Sequence, residues 1–212
     1  MGQRLVLEVF EGDERIASAY FHWSGYTQST YQEIAKLIRI LDGKDVYGEK
    51  FHVDFEKHAI SYEKIHLKPE DYQADDVRLR MIRAYEGLGG GLGREDAEYA
   101  KRIFPGETFS ENVDRTYGLV FLSEEEMKTS FDWAEAYARI NLKERVVSEV
   151  DCWLYTPEEE IRKGAVIVKS KEDLFDFPFE KAEEISKQVC GLLKCGSPYV
   201  ENTDGDVFAA IA

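Results

Sequence analysis

The residues best suited to chemistry lie between Ala19 and Tyr31, in Ala-Tyr-Phe-His-Trp-Ser-Gly-Tyr-Thr-Gln-Ser-Thr-Tyr. Tyr20, Phe21, Trp23, Tyr26 and Tyr31 make this stretch far richer in rings than the chain as a whole, where aromatics are 13%. His22, Ser24 and Thr27 are interleaved with them. Aromatic faces offer large contact area at small entropic cost, and hydroxyls beside a helix start supply directional bonds. A nucleotide-like ligand suits such a set, with its base on an aromatic ring and its phosphate at the helix amides. A protein partner suits it equally well. The plain alternative is that one face of the strand, carrying Phe21 and Trp23 or carrying Tyr20 and His22, simply joins the core. Tyr20, His22, Trp23, Tyr26 and Thr27 are therefore the candidate ligand or partner contacts.

Other constellations are weaker. Arg78, Arg80 and Arg83 are candidate anion contacts, although the same spacing describes the solvated face of a helix. His52 and Asp54 alternate onto one strand face, and with His22 they are the only basis for an enzymatic reading as a hydrolase or nucleotide-modifying enzyme. No H-E-x-x-H set, G-x-S-x-G elbow or comparable nucleophile arrangement accompanies them. The run Gly87-Leu-Gly-Gly-Gly-Leu-Gly93 lacks the Lys-Ser/Thr of a phosphate loop. It also has Leu92 where a dinucleotide fingerprint needs glycine. Cys152, Cys190 and Cys195 have neither the even count of a disulfide framework nor a C-x-x-C spacing. The acids of Glu124–Glu126 and Glu158–Glu160 read as first-turn residues favoured by the helix dipole, not as a catalytic pair. No catalytic residue, metal site or cofactor is expected.

The elements that must position these groups follow from periodicity. Residues 4–10 and 15–22 read as strands around Glu11-Gly-Asp-Glu14. Ile34, Leu37, Ile38 and Leu41 then fall on one helical stripe, ended by Asp42-Gly43. Thr30-x-x-Glu33 matches a capping box, with Thr27 as an alternative cap for an earlier start. Alternation from Phe51 and again over 60–65 predicts a second hairpin, and Pro69 reads as a break. Helices are predicted over 74–86 and 94–104, separated by the glycine run. Further strands are expected at 118–122, 134–142, 145–155, 165–169 and 207–211. Short helices should start at Ser123 and Thr156, and a longer helix should span about 179–194. Hairpins outnumber strand–helix–strand units, so the expected fold is α+β, mainly antiparallel sheet with flanking helices, in a single domain over 1–212. Residues 70–106 are expected as a helical insertion or subdomain within it.

Bulk properties narrow the function classes. At 212 residues and 43% hydrophobic the chain can bury a sizeable core. A net charge of −15 works against binding phosphate backbones, so no direct nucleic-acid partner is expected. No apolar run approaches the ~18 residues of a membrane span, and the first residues lack an apolar signal region. The expectation is a cytoplasmic protein that does not engage a membrane and that can form a homo-oligomer.

The segment from Arg4 to Thr27, with Glu-Arg-Ile-Ala-Ser-Ala-Tyr-Phe-His-Trp-Ser-Gly-Tyr-Thr, resembles the opening of small uncharacterised proteins carried by phages and prophages of Gram-positive bacteria. The resemblance covers about an eighth of the chain and brings no assigned chemistry. It implies a mobile-element accessory protein acting in the host cytoplasm. Such a protein would blunt a host defence by binding a host protein or by sequestering a small nucleotide ligand. A virion or assembly component is a further reading.

Overall fold

A computed structural model of the chain describes residues 4–21, 24–54, 56–57, 59–90, 92, 94–109, 117–118, 134–152 and 176–192. The chain opens with strands β1 (Leu5–Glu11) and β2 (Glu14–Phe21), paired antiparallel about the turn at Gly12, whose φ is +67°. Helix α1 (Thr27–Leu41) follows, then strands β3 (Val46–Asp54) and β4 (Ala59–Leu67), which form a separate two-stranded sheet. Helices α2 (Pro69–Tyr72), α3 (Val77–Gly87) and α4 (Arg94–Ile103) lead to the short strand β5 (Tyr117–Gly118). Strands β6 (Ala136–Asn141), β7 (Val146–Asp151) and β8 (Phe177–Pro178) complete the main sheet. A 3-10 turn at Phe179–Lys181 leads into helix α5 (Ala182–Leu192).

The main sheet runs β5-β2-β1-β6-β7-β8. Two hairpins, β1–β2 and β6–β7, lie side by side, and their inner strands β1 and β6 run parallel with Leu7 beside Ala138. Every other described pairing is antiparallel. The fold is thus α+β with a mostly antiparallel sheet and flanking helices, as periodicity predicts. The parallel centre is legible only once the long crossover between the hairpins is seen.

One face of this sheet builds the core. Leu5, Leu7, Val9, Ala19, Phe21, Ala136, Ala138 and Ile140 pack with Ile34, Leu37 and Ile38 of α1, Met81, Ile82 and Tyr85 of α3, and Ile185 and Val189 of α5. The alanines of β6 lie toward the bulky residues of α1 and those of β2 toward α3, the large-against-small arrangement that fills space without strain. Ala97 and Ala100 of α4 join the same core, so the helical stretch 70–106 packs onto the apolar interior that the sheet builds.

Helix α1 departs from an amphipathic surface helix. Even Gln32, Glu33 and Lys36 are buried, because α3 and α5 flank it. Its start also differs from the expected capping box. Thr27 is already helical, Tyr26 is the N-cap, and Thr30 lies inside the helix, where its hydroxyl donates to the Ser24 carbonyl at 3.0 Å. The threonine bonds backwards to the incoming chain, which removes it from the capping role. Pro69 does not break the chain but occupies the first turn of α2, where its missing N–H costs nothing, and the Asp71 carboxylate accepts from the Lys68 N–H at 2.7 Å. The strand expected at 118–122 is described only at Gly118, where it meets β2. The elements expected near 123, 156, 165–169 and 207–211 lie outside the described residues.

Candidate functional site

The junction between β2 and α1 is anchored from below. Phe21, the last residue of β2, is buried with its ring 5.4 Å from that of Tyr85 on α3. The Thr30–Ser24 bond holds the incoming chain against the helix, and Thr27 is fully buried. Tyr26 stands out: at 37% exposure it is the one large hydrophobic exposed among the described residues. It makes no side-chain cap bond, and no acidic residue occupies the first turn of the helix it begins. In a chain with 42 acids against 27 bases, a 15-residue helix whose positive end carries no carboxylate is a locus that tolerates an anion. His22 and Trp23 lie outside the described residues.

The strand splits the aromatic set. Phe21 points to the core face, whereas Tyr20 stands on the other face, opposite Val6 and in line with Tyr137 beyond it. Tyr20 is therefore not a neighbour of Phe21 around one pocket but belongs to the other face of the main sheet, opposite α1.

That surface carries a charged cluster which sequence reasoning passed over. Glu8, buried in the middle of β1, accepts from Arg15 at 2.8 Å and from the Tyr137 hydroxyl at 2.6 Å. Arg139 pairs across the sheet with Glu8 in register, and its guanidinium lies over the Phe10 ring, 3.9 Å from the centroid. Its carboxylate partner, Glu149, is 3.6 Å away. Burial, then the hydrogen bond to Glu8 and the negative charges of Glu8 and Glu149, push the Tyr137 hydroxyl well above its ordinary titration range. Glu149 itself sits at a bulge in β7 with φ +54°, a left-handed conformation usually left to glycine. The sequence signal was present: β1 has a lone acid between Leu7 and Val9, and β6 alternates Ala136, Ala138 and Ile140 with Tyr137, Arg139 and Asn141. Only pairing β1 with β6 brings the two polar rows together.

The arginines of α3 are occupied by the fold. Arg78 embraces Asp76, the N-cap of its own helix, at 2.9 Å. Arg80 donates to the carbonyls of Ala74 and Leu41, and Arg83 to the Gln73 carbonyl and the Glu107 carboxylate. Burial alone would raise the Asp76 carboxyl, but the bonds from Arg78 and the Leu79 amide hold it below its ordinary value.

Among the histidines, His66 pairs with Asp45 at 2.7 Å and stacks on Tyr47 with ring centroids 4.5 Å apart. His52 and Asp54 occupy alternate positions of β3 opposite Ser61 and Ala59, and His58 lies outside the described residues. Among the described residues no group of three or more His, Cys, Asp or Glu side chains is placed to hold a metal ion. No described helix is long and apolar enough to cross a membrane. No family model, curated protein or solved structure matches this chain.

Proposed function

We propose that the protein acts by binding, without catalysis, and that the junction between β2 and α1 is its recognition surface for a small nucleotide-like anion. The observation that carries this reading is Tyr26, an exposed ring at the start of a helix whose first turn holds no carboxylate. A base stacked on such a ring would place its phosphate near the first-turn amides, where the helix dipole favours negative charge. Thr27 and Ser24, near Tyr26 in the chain, are buried, and the Thr30 hydroxyl holds the Ser24 carbonyl, which fixes the backbone of the junction. The neighbouring His22 and Trp23 extend the same aromatic run. The resemblance of the segment from Arg4 to Thr27 to phage-borne proteins supports a counter-defence role, in which sequestering a host signal nucleotide needs no active site. A chain of −15 favours a small anionic ligand at one protected point over a long phosphate backbone.

The test is native mass spectrometry of the protein purified from bacterial cytoplasm, followed by calorimetric titration with a nucleotide panel. Tyr26→Ala is expected to weaken nucleotide binding by about tenfold or more, the loss of one aromatic anchor, with the unfolding temperature unchanged. Equal affinity of the variant and the parent would remove Tyr26 from the site. A bare protein mass together with no heat from any nucleotide would sink the nucleotide reading and leave a host protein as the partner to seek.

A further inference from the structure

The face of the main sheet opposite α1 holds two arginines whose hydrogen-bonding capacity is, among the described residues, largely unspent. A guanidinium offers five N–H donors in a planar fork. Among the described residues Arg139 has no hydrogen-bond partner. Its charge is met only by the loose 3.6 Å approach of Glu149, whose side chain is 60% exposed, and by the Phe10 ring. Arg15, opposite Phe10 in the β1–β2 pairing, spends one donor on Glu8. The contrast with α3 is sharp, since Arg78, Arg80 and Arg83 each bond to protein acceptors. Both face arginines are partly open to solvent, at 24% and 27%.

Three features make this more than a solvated pair of charges. Arg15 and Arg139 flank the same residue, Phe10, on neighbouring strands, so their forks are about two strand spacings apart, roughly 10 Å between backbones, within reach of one anion by two long side chains. The Phe10 ring holds Arg139 from one side, and Tyr137 and Glu8 hold Arg15 through their shared carboxylate, so little side-chain entropy is left to lose on binding. The nearby carboxylates are already engaged: Glu8 is satisfied by Arg15 and Tyr137, and only the exposed Glu149 competes for Arg139.

We infer that Arg139 and Arg15, set about Phe10 on the sheet face opposite α1 and both partly exposed, form a binding site for a phosphoryl group of a small molecule. Arginine forks match the oxygens of a phosphoryl group bidentately, and an incoming dianion would displace the single carboxylate of Glu149 from Arg139. The site lies on the other face of the sheet from α1 and does not depend on the junction at Tyr26.

The experiment titrates the intact protein with inorganic phosphate, with ADP and, as a carboxylate comparison, with citrate, following amide shifts by NMR and heats by calorimetry. Saturable binding of phosphate or ADP is expected, with shifts in Phe10, Arg15 and Arg139. Arg139→Gln should weaken it about tenfold or more, the loss of a charge-assisted fork, and Arg139→Lys should restore only part of it. Arg78→Gln should leave binding unchanged. If Arg139→Gln lowers stability too far to titrate, Arg15→Gln carries the same expectation. Absence of saturation by phosphate and ADP overturns the site, as does unchanged affinity in Arg139→Gln, or binding lost in Tyr26→Ala but kept in Arg139→Gln. Citrate binding as tightly as ADP overturns the phosphoryl assignment.

Discussion

The hydroxyl of Tyr85 is a residue-scale puzzle with a measurable answer. Its ring packs on Phe21 inside the core, and its oxygen is fully enclosed without a hydrogen-bond partner. Burial first, and the negative charge of Glu33 second, push its titration far upward, so the group stays neutral at any ordinary pH. Close by on α1, Lys36 bonds both oxygens of Glu33 at 2.8 Å, an ion pair with side chains only 9% and 4% exposed. That pair satisfies itself within one helix turn and offers Tyr85 nothing. An unpaired buried hydroxyl costs about 1–3 kcal/mol, so Tyr85→Phe should stabilise the fold by roughly 1 kcal/mol and raise the unfolding temperature. A lower unfolding temperature in the variant would instead assign the hydroxyl a bond worth keeping, through a buried water to Glu33.

At the scale of elements, the β3–β4 hairpin is the least self-sufficient part, because an isolated two-stranded ribbon is marginal in water. It is held at its base by close backbone approach. A Cβ at Gly48 of β3 would meet the Leu88 side chain at 2.8 Å, and one at Gly87 of α3 would meet Leu67 of β4 at 2.7 Å. Two glycines and two leucines thus interlock the ribbon with the end of α3. Gly48→Val should cost about 1–3 kcal/mol in denaturant unfolding, and the double change Gly48→Val with Leu88→Ala should recover part of it. Full stability in the single variant would mean that the ribbon is held elsewhere. These glycines illustrate which parts of the fold were legible. Alternation and the 3.6-residue stripe gave both ends of the main hairpins and most of α1, α3 and α4, because half-buried elements write their burial into the sequence. The parallel β1–β6 pairing was not legible, since it depends on a crossover of more than a hundred residues with no local signal. The same pairing assembles the Glu8–Arg15–Tyr137–Arg139 cluster, so the second face escaped notice along with it. The junction at Tyr26 was legible because its aromatic residues are consecutive in the chain, yet the strand's alternation, plain in the sequence, sends Tyr20 to the opposite face.

Across the whole molecule, the C-terminal end of α1 is where separate parts are tied together by charge. Asp42 takes Arg145 from the β6–β7 turn at 2.9 Å and Lys44 at 3.0 Å, and Arg145 also bonds Glu180 beside α5 at 3.0 Å. Arg39 reaches Glu183 of α5 and the Asp45 carbonyl, Arg80 reaches the Leu41 carbonyl, and the Tyr72 hydroxyl, pushed up to about 12 mainly by burial, donates to the Lys44 carbonyl. Cations gathered at the negative end of a helix are favoured by its dipole as well as by their carboxylate partners. Burial alone would raise the Asp42 carboxyl, but the bonds from Arg145 and Lys44 outweigh it and hold the group below its ordinary 3.8. A carboxyl that titrates lower in the folded chain than in the unfolded one stabilises the fold above its ordinary value and loses that contribution as the pH falls through its folded value. Acidification also relieves the mutual repulsion of a chain at −15, which works in the opposite direction, so the pH profile of the parent protein alone mixes the two effects. Asn at position 42 keeps the shape and removes the charge. Asp42→Asn should therefore be less stable than the parent at pH 6, and the two unfolding temperatures should converge as the pH is taken below the carboxylate range. A gap that stayed constant down to the lowest pH would show that Asp42 serves by shape and not by charge, and the tie between the β6–β7 hairpin, α5 and α1 would have to be sought in packing alone.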